Sequence, residues 1–325
     1  MSRRLITLIA TGLGLALLAW QIDKVGVAHI LDGFRRIGPT GFALILGATL
    51  IRQLCRTLAW TLLLDAGVPL RRAFAATVSG DAIGNLTPLS LLASEPAKAM
   101  FVREYVAPPR ALAALAAENF IYSLSVVVAV LTGVAVLFLD YQVSDALRTV
   151  SFVLIGGMLA VLVGALWLIA KEPALVSSTL GRFVGEGSLA KIRDLETTTY
   201  SFVRSRPARL AGVIACEVTF HIASIAEAWI TLSFLAPEHH SLALAVVLDT
   251  VQRVITVVFR VIPLRIGVDE SGSGFMTTAL DLGRGLGVTM GLIRKIRVLI
   301  WSGIGLLLIS GRSRGPSGPR TEPRT

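Results

Sequence analysis

The chain has 325 residues, 54% of them hydrophobic, a formal net charge of +10 and a mean hydropathy of +0.73. Only 16% of the residues are charged, too few to cover the surface of a soluble protein of this size. Several apolar stretches approach or exceed the roughly 20 residues that span a bilayer, so the composition describes an all-α polytopic membrane protein. The positive charge lies mostly between apolar runs, as the positive-inside rule requires, and does not argue for nucleic acid.

Residues 5–20 form a short first apolar run after Arg3 and Arg4. No small-residue cleavage site follows, so it is read as a retained helix rather than a signal peptide. Residues 25–37 place Val27, Ile30, Leu31 and Phe34 on one face, the pattern of an interfacial amphipathic helix. Residues 41–64 read as a span closed by Arg71 and Arg72. Residues 74–92 are apolar but punctuated by Asp81, Gly84, Asn85 and Pro88, which predicts two half-helices around a bend. Residues 95–110 are polar and basic. Spans follow at 111–139 and 151–170.

Residues 171–206 are the one sizeable hydrophilic loop, basic and expected on the cytoplasmic side, with Leu180, Phe183 and Val184 suited to helices lying on the membrane. Spans return at 208–235 and 242–262. Residues 263–279 form a second interrupted element, and 286–309 a last span containing Arg294, Lys295 and Arg297. Residues 310–325 are a Pro/Gly/Ser/Arg tail expected to be disordered. The count is about seven to eight spans. Basic loops on one side put the N-terminus in the cytoplasm. The counted spans send the tail to the opposite side, although its charge favours the cytoplasm.

The two interrupted elements share a pattern. Pro88-Leu89 is followed seven residues later by Glu95, and Pro263-Leu264 seven residues later by Glu270. Duplicated interrupted helices point to a midplane binding site between two repeats, here about 41–139 and 208–309 within a single domain of residues 1–309. Gly84, Pro88, Pro263 and Gly267 are the expected bends.

Ionisable side chains inside the apolar runs each cost about 2.5–3.5 kcal/mol on insertion scales. Arg52 and Arg56 are one turn apart, Glu118 and Tyr122 share a face, and so do Asp249 and Arg253. Glu217, His221 and Ser224 continue one stripe, with Glu227 close to it. Such groups either pair as glue between helices, snorkel to the interface, or line a common aqueous cleft. Charges of both signs flanking the two interrupted elements favour the cleft, and its arginines suit a phosphate-bearing ligand. Arg52, Arg56 and Arg253 are expected to attract a headgroup. Glu95, Glu118, Asp249 and Glu270 are expected to pair with arginines at rest.

Catalytic and cofactor motifs are missing: H-E-x-x-H, G-x-x-x-x-G-K-[ST] and C-x-x-C do not occur, and the G-x-S-x-G spacing falls only at Gly311–Gly315, in the Arg-rich tail. Gly283, Gly285 and Gly287 read as helix-packing glycines, and Cys55 and Cys216 suggest no disulfide framework. No metal or cofactor is expected. The pattern sets no oligomeric state.

The R-x-x-x-R-x-x-x-W span (Arg52, Arg56, Trp60), the G-N-L-x-P…E segment ending at Glu95, and the P-x-x-I-G-V-x-E segment from Pro263 to Glu270 resemble one family. It is the lysylphosphatidylglycerol synthase transmembrane family of flippase-like membrane proteins, and the likeness extends over residues 5–309. The resemblance implies a lipid flippase of the bacterial inner membrane, with a membrane lipid as substrate and anionic headgroups as neighbours. The family's P-x-x-x-G-E is altered here to Leu92-Ala93-Ser94-Glu95. The tail leaves no room for the aminoacyl-transferase domain of the bifunctional synthases, so synthase activity is not expected. Residues 118–123 and His221 resemble a branch associated with hopanoid gene clusters. That likeness implies, as the alternative, an accessory protein or membrane enzyme of lipid biosynthesis.

Overall fold

A computed structural model describes residues 16–64, 67–87, 90–171, 207–259 and 262–313. Residues 1–15, with most of the first apolar run, Pro88, and the stretches at 172–206 and from 314 lie outside these residues. Among the described residues every regular element is helical. Helix α1 covers residues 16–25 and stops at Gly26, whose φ is +86°. Helix α2, Val27–Leu64, kinks at Gly38 (φ 58°, ψ −174°), immediately before Pro39. Glycine tolerates the left-handed angle, and Pro39 starts a new first turn that needs no N–H donor. The interfacial segment and the span are thus one element with a hinge of two residues.

Helix α3 (Leu70–Leu86) and helix α4 (Ser90–Phe101) follow, then α5 (Pro108–Asp140) and α6 (Asp145–Lys171). Helix α7 is Pro207–Leu235 and α8 is Leu242–Val258. A 3-10 turn at Pro263–Arg265 leads into α9 (Val268–Ala279), and α10 (Arg284–Ser313) completes the bundle.

Two boundaries differ from the sequence expectation. Helix α3 runs straight through Gly84, and the interruption comes only after Leu86. Gly84 sits in the last turn, where its carbonyl accepts the capping N–H of Thr87 at 3.4 Å. The stretch after Glu95 is not loop but the body of α4, because Lys98 is buried against Asp81 and Glu95 instead of facing solvent. Charge along the sequence did not reveal that these charges neutralise one another.

The second interruption is sharper. Leu264 (φ 52°) and Arg265 (φ 48°) are consecutive non-glycine residues in the left-handed region, a strained arrangement. Lys295 donates to the Leu264 carbonyl and Arg265 Nε to Asp269 at 3.2 Å, which pins the turn. Gly267, at φ +79°, restarts the chain as α9. At about 18 Å, the 12-residue α9 is too short for a hydrocarbon core of about 30 Å.

Among the described residues four helical segments are long and apolar enough to cross a membrane: Val27–Leu64, Pro108–Asp140, Leu147–Gly164 and Pro207–Leu235. Only 12–39% of each apolar window is buried within the protein, which leaves most of that surface for lipid. Helix α2 runs along α7. Helix α8 rests on α5, α7 and α9, while α6 packs on the outside of α5. Helix α10 packs on α9 near its start and on α3 near its end, and the 3-10 turn touches α3. Small residues make this closeness possible. A Cβ on Gly287 would collide with the backbone of Ser273, and one on Gly305 with the backbone of Val78.

The apolar core is divided. One cluster joins Ile45, Leu232, Leu248, Met290 and Ile293. Another joins Trp60, Ala76, Val102, Leu115 and Val213. Between them, α2 presents Arg52 and Arg56, α5 presents Glu118 and Tyr122, and α7 presents residues from Glu217 to Glu227. The ionisable residues therefore occupy one layer between two dry ones.

Candidate functional site

Within that layer lies a partly enclosed cavity of about 160 Å³. With roughly 30 Å³ per water, it has room for about five waters or a small anion. Five arginines line it: Arg52, Arg253, Arg265, Arg294 and Arg297. Two carboxylates, Glu227 and Asp249, face them. The surplus of positive charge comes from four separate elements, so only the folded bundle concentrates it.

Each charge has a specific holder. Glu227 on α7 is 3% exposed and accepts from Arg52 Nη1 at 2.9 Å and also from Arg297 Nη1. Asp249 Oδ2 accepts from Arg253 Nε at 2.7 Å, one turn away, and its Oδ1 accepts from Ser224 Oγ at 2.6 Å. Arg294 Nη1 donates to Gln252 Oε1 at 3.1 Å. Among the described residues Arg294 has no carboxylate within ion-pair distance. Among the described residues Nη2 of Arg253, Nε of Arg52 and Nε of Arg297 are buried with no hydrogen-bond partner. Buried donors of this kind are costly unless something accepts from them.

An aromatic pair organises the arginines. Phe220 and Tyr122 meet edge to face at 5.4 Å. The guanidinium carbons of Arg52 and Arg253 lie 4.8 Å and 5.7 Å from the Phe220 ring centre, and that of Arg56 lies 4.2 Å from Tyr122. Cation–π attraction holds flat guanidiniums in place while leaving their edges free to donate.

The other expected site residues lie around the cavity rather than on it. Arg56 pairs with Glu118 at 2.9 Å and donates to Asn119 at 3.1 Å, on the far side of Tyr122. Glu95 belongs to a group with Lys98 and Asp81 between α3 and α4. Glu270 is fully buried. Its nearest cation is Lys295 at 3.6 Å, and neither carboxylate oxygen has a hydrogen bond. Lys295 prefers Asp269, at 2.9 Å. Gln252 Nε2 donates to Asp269 at 3.1 Å and so links this group to Arg294 and the cavity. The single shared cleft expected from sequence is thus one cavity, lined by Arg52, Asp249 and Arg253, with three paired groups beside it.

Sequence reading did not single out Glu227, Gln252 or Arg265 as site residues. Glu227 lies off the 217–221–224 stripe, and its partner Arg297 is 70 positions away. Phe220 gave no signal at all, being one more apolar residue in an apolar span.

The bundle with its interrupted helices and its arginine-lined layer defines a multi-pass membrane protein. The chain belongs to the family described as lysylphosphatidylglycerol synthase TM region, whose model matches residues 7–305. That membership ties it to lipid metabolism or transport. No curated protein and no solved structure matches the chain.

Proposed function

We propose that this protein is a lipid flippase-like transporter that moves an amphiphile with a phosphate-bearing headgroup between leaflets. The observation that carries this reading is the cavity between α2, α7, α8 and α10, with five arginines against two carboxylates. Guanidinium forks match phosphate oxygens, and three cavity arginines hold buried donors with no acceptor. A headgroup phosphate entering there accepts from Arg294 and Arg253 and competes with Glu227 for Arg52. The acids regain their arginines when the headgroup leaves, while the acyl chains stay in lipid throughout. Such exchange needs no covalent chemistry, so the protein acts as a transporter and not as an enzyme.

The reading extends to topology. Two repeats, about 41–139 and 208–309, each surround one interrupted helix, with about seven to eight spans in all. The basic connections put the N-terminus in the bacterial cytoplasm, and anionic headgroups meet Arg71 and Arg72 there.

Arg294→Ala and Arg253→Ala test the proposal in vesicles carrying a fluorescent phosphatidylglycerol, with thermal unfolding of each variant measured alongside. Arg294→Ala strands no carboxylate, so the expected result is lost translocation with stability retained. Normal translocation by both folded variants refutes the proposal.

A further inference from the structure

One aromatic layer away from the cavity, Glu217, Ser125 and His221 form a cluster that the headgroup mechanism does not use. Glu217 on α7 is 2% exposed. The other buried acids in the described residues each have a cation within 4 Å: Glu118, Glu227, Asp249, Asp269 and Glu270. Glu217 has none; its hydrogen-bond neighbour is Ser125 Oγ, at 3.3 Å. An ionised carboxylate left unpaired at this depth is costly.

Ser125 does little to hold a charge on Glu217. Its hydroxyl has one hydrogen to donate and two lone pairs. Three groups compete for that hydrogen: the Tyr122 carbonyl at 2.8 Å, His221 Nε2 at 2.9 Å and Glu217 Oε2 at 3.3 Å. The first two lie at ordinary hydrogen-bond distance and Glu217 lies beyond it. Glu217 therefore has neither a cation nor a short hydrogen bond to offset a buried negative charge, and a bound proton removes that charge. The trio is not a nucleophilic triad, because the acid touches the serine and not Nδ1 of the histidine.

We infer that Glu217, held by Ser125 and His221, is a proton-binding site that couples a proton gradient to the movement of the headgroup. The coupling rests on the transport reading above; the proton site does not. The charged and titratable groups around it are Arg56 and Cys55 from α2, Glu118 from α5, Arg253 from α8, and Cys216 on α7 itself. Asp249 and Arg52 face His221. Phe220 touches both groups: the Arg52 and Arg253 guanidiniums lie over its ring, and the His221 ring meets it edge to face at 5.5 Å. When Glu217 loses its proton, the new negative charge attracts Arg56 and, more weakly, Arg253. Drawing Arg253 away from Asp249 changes the headgroup site in the same step.

The test is infrared difference spectroscopy on the whole chain in lipid nanodiscs, stepped from about pH 8 to pH 5. The expected signal is a protonated-carboxyl band that titrates in this range. It should vanish in Glu217→Gln and shift in Ser125→Ala, which keeps the acid but removes a hydrogen-bond partner. A parallel assay imposes a pH gradient on vesicles containing a fluorescent phosphatidylglycerol and an internal pH dye. Wild type should move probe faster with the gradient and Glu217→Gln should ignore it. A carboxyl band unchanged in both variants overturns the proton site. A band that never titrates, or wild-type movement indifferent to the gradient, overturns the coupling. A titrating Glu217 band with no probe movement in wild type leaves the proton site standing and refutes the transport reading instead.

Discussion

Replacing Glu227 with alanine removes an acid that holds two elements at once. Its carboxylate accepts from Arg52 on α2 and Arg297 on α10, and its side chain is only 4% exposed. Breaking a buried ion pair by deleting one partner costs about 3–5 kcal/mol, because the remaining charge stays buried and alone. Here two guanidiniums are stranded, but not equally. Arg297 is 11% exposed and Arg52 is 22% exposed on the cavity wall, where water rehydrates part of it. The lower end, about 3 kcal/mol, is therefore expected. Arg297→Ala should cost less, about 1.5–3 kcal/mol, since Glu227 keeps Arg52. The double variant should fall short of the sum, with a coupling of at least ~1 kcal/mol. Equilibrium unfolding by SDS in mixed micelles measures all three. Additive losses, or an Glu227→Ala variant as stable as wild type, would refute the view that this pair is dry and structural as well as functional.

Other substitutions probe the packing by the same measurement. Gly287→Ala should destabilise by about 1–3 kcal/mol, since its new Cβ meets the backbone of Ser273, which cannot rotate aside. Gly156→Ala, on the open face of α6, should stay within about 0.5 kcal/mol of wild type. Trp60→Ala, at 1% exposure in the cluster beside α3 and α4, should cost about 3–5 kcal/mol. Gly267→Ala should cost about 1–2 kcal/mol because its φ of +79° forces a Cβ against the following carbonyl. Equal stability of Gly267→Ala and wild type would mean that the second interruption relaxes easily.

Much of the architecture was legible in the amino-acid sequence because lipid imposes a one-dimensional rule. Apolar runs of sufficient length must be helices, since no water is present to satisfy their backbone groups. Proline and glycine inside such a run report an interruption locally, and Pro263 through Gly267 did so. Of the two bends expected in the first interrupted element, Gly84 stays helical and the helix ends only after Leu86, because a glycine inside a helix and one at a bend look alike in sequence. The ionisable residues, too, announced themselves by their cost at membrane depth. What sequence could not assign was partnership. In sequence Arg52 matches every buried acid equally, and its pairing with Glu227, across 175 positions, follows only from how α2 lies along α7. The same packing brings Ser125 within reach of both Glu217 and His221, and it separates the arginines that line the cavity from those sealed beside it. Helicity and depth are set by each segment's own exchange with lipid. Pairing is set by the distances between segments, and those exist only once the bundle has closed.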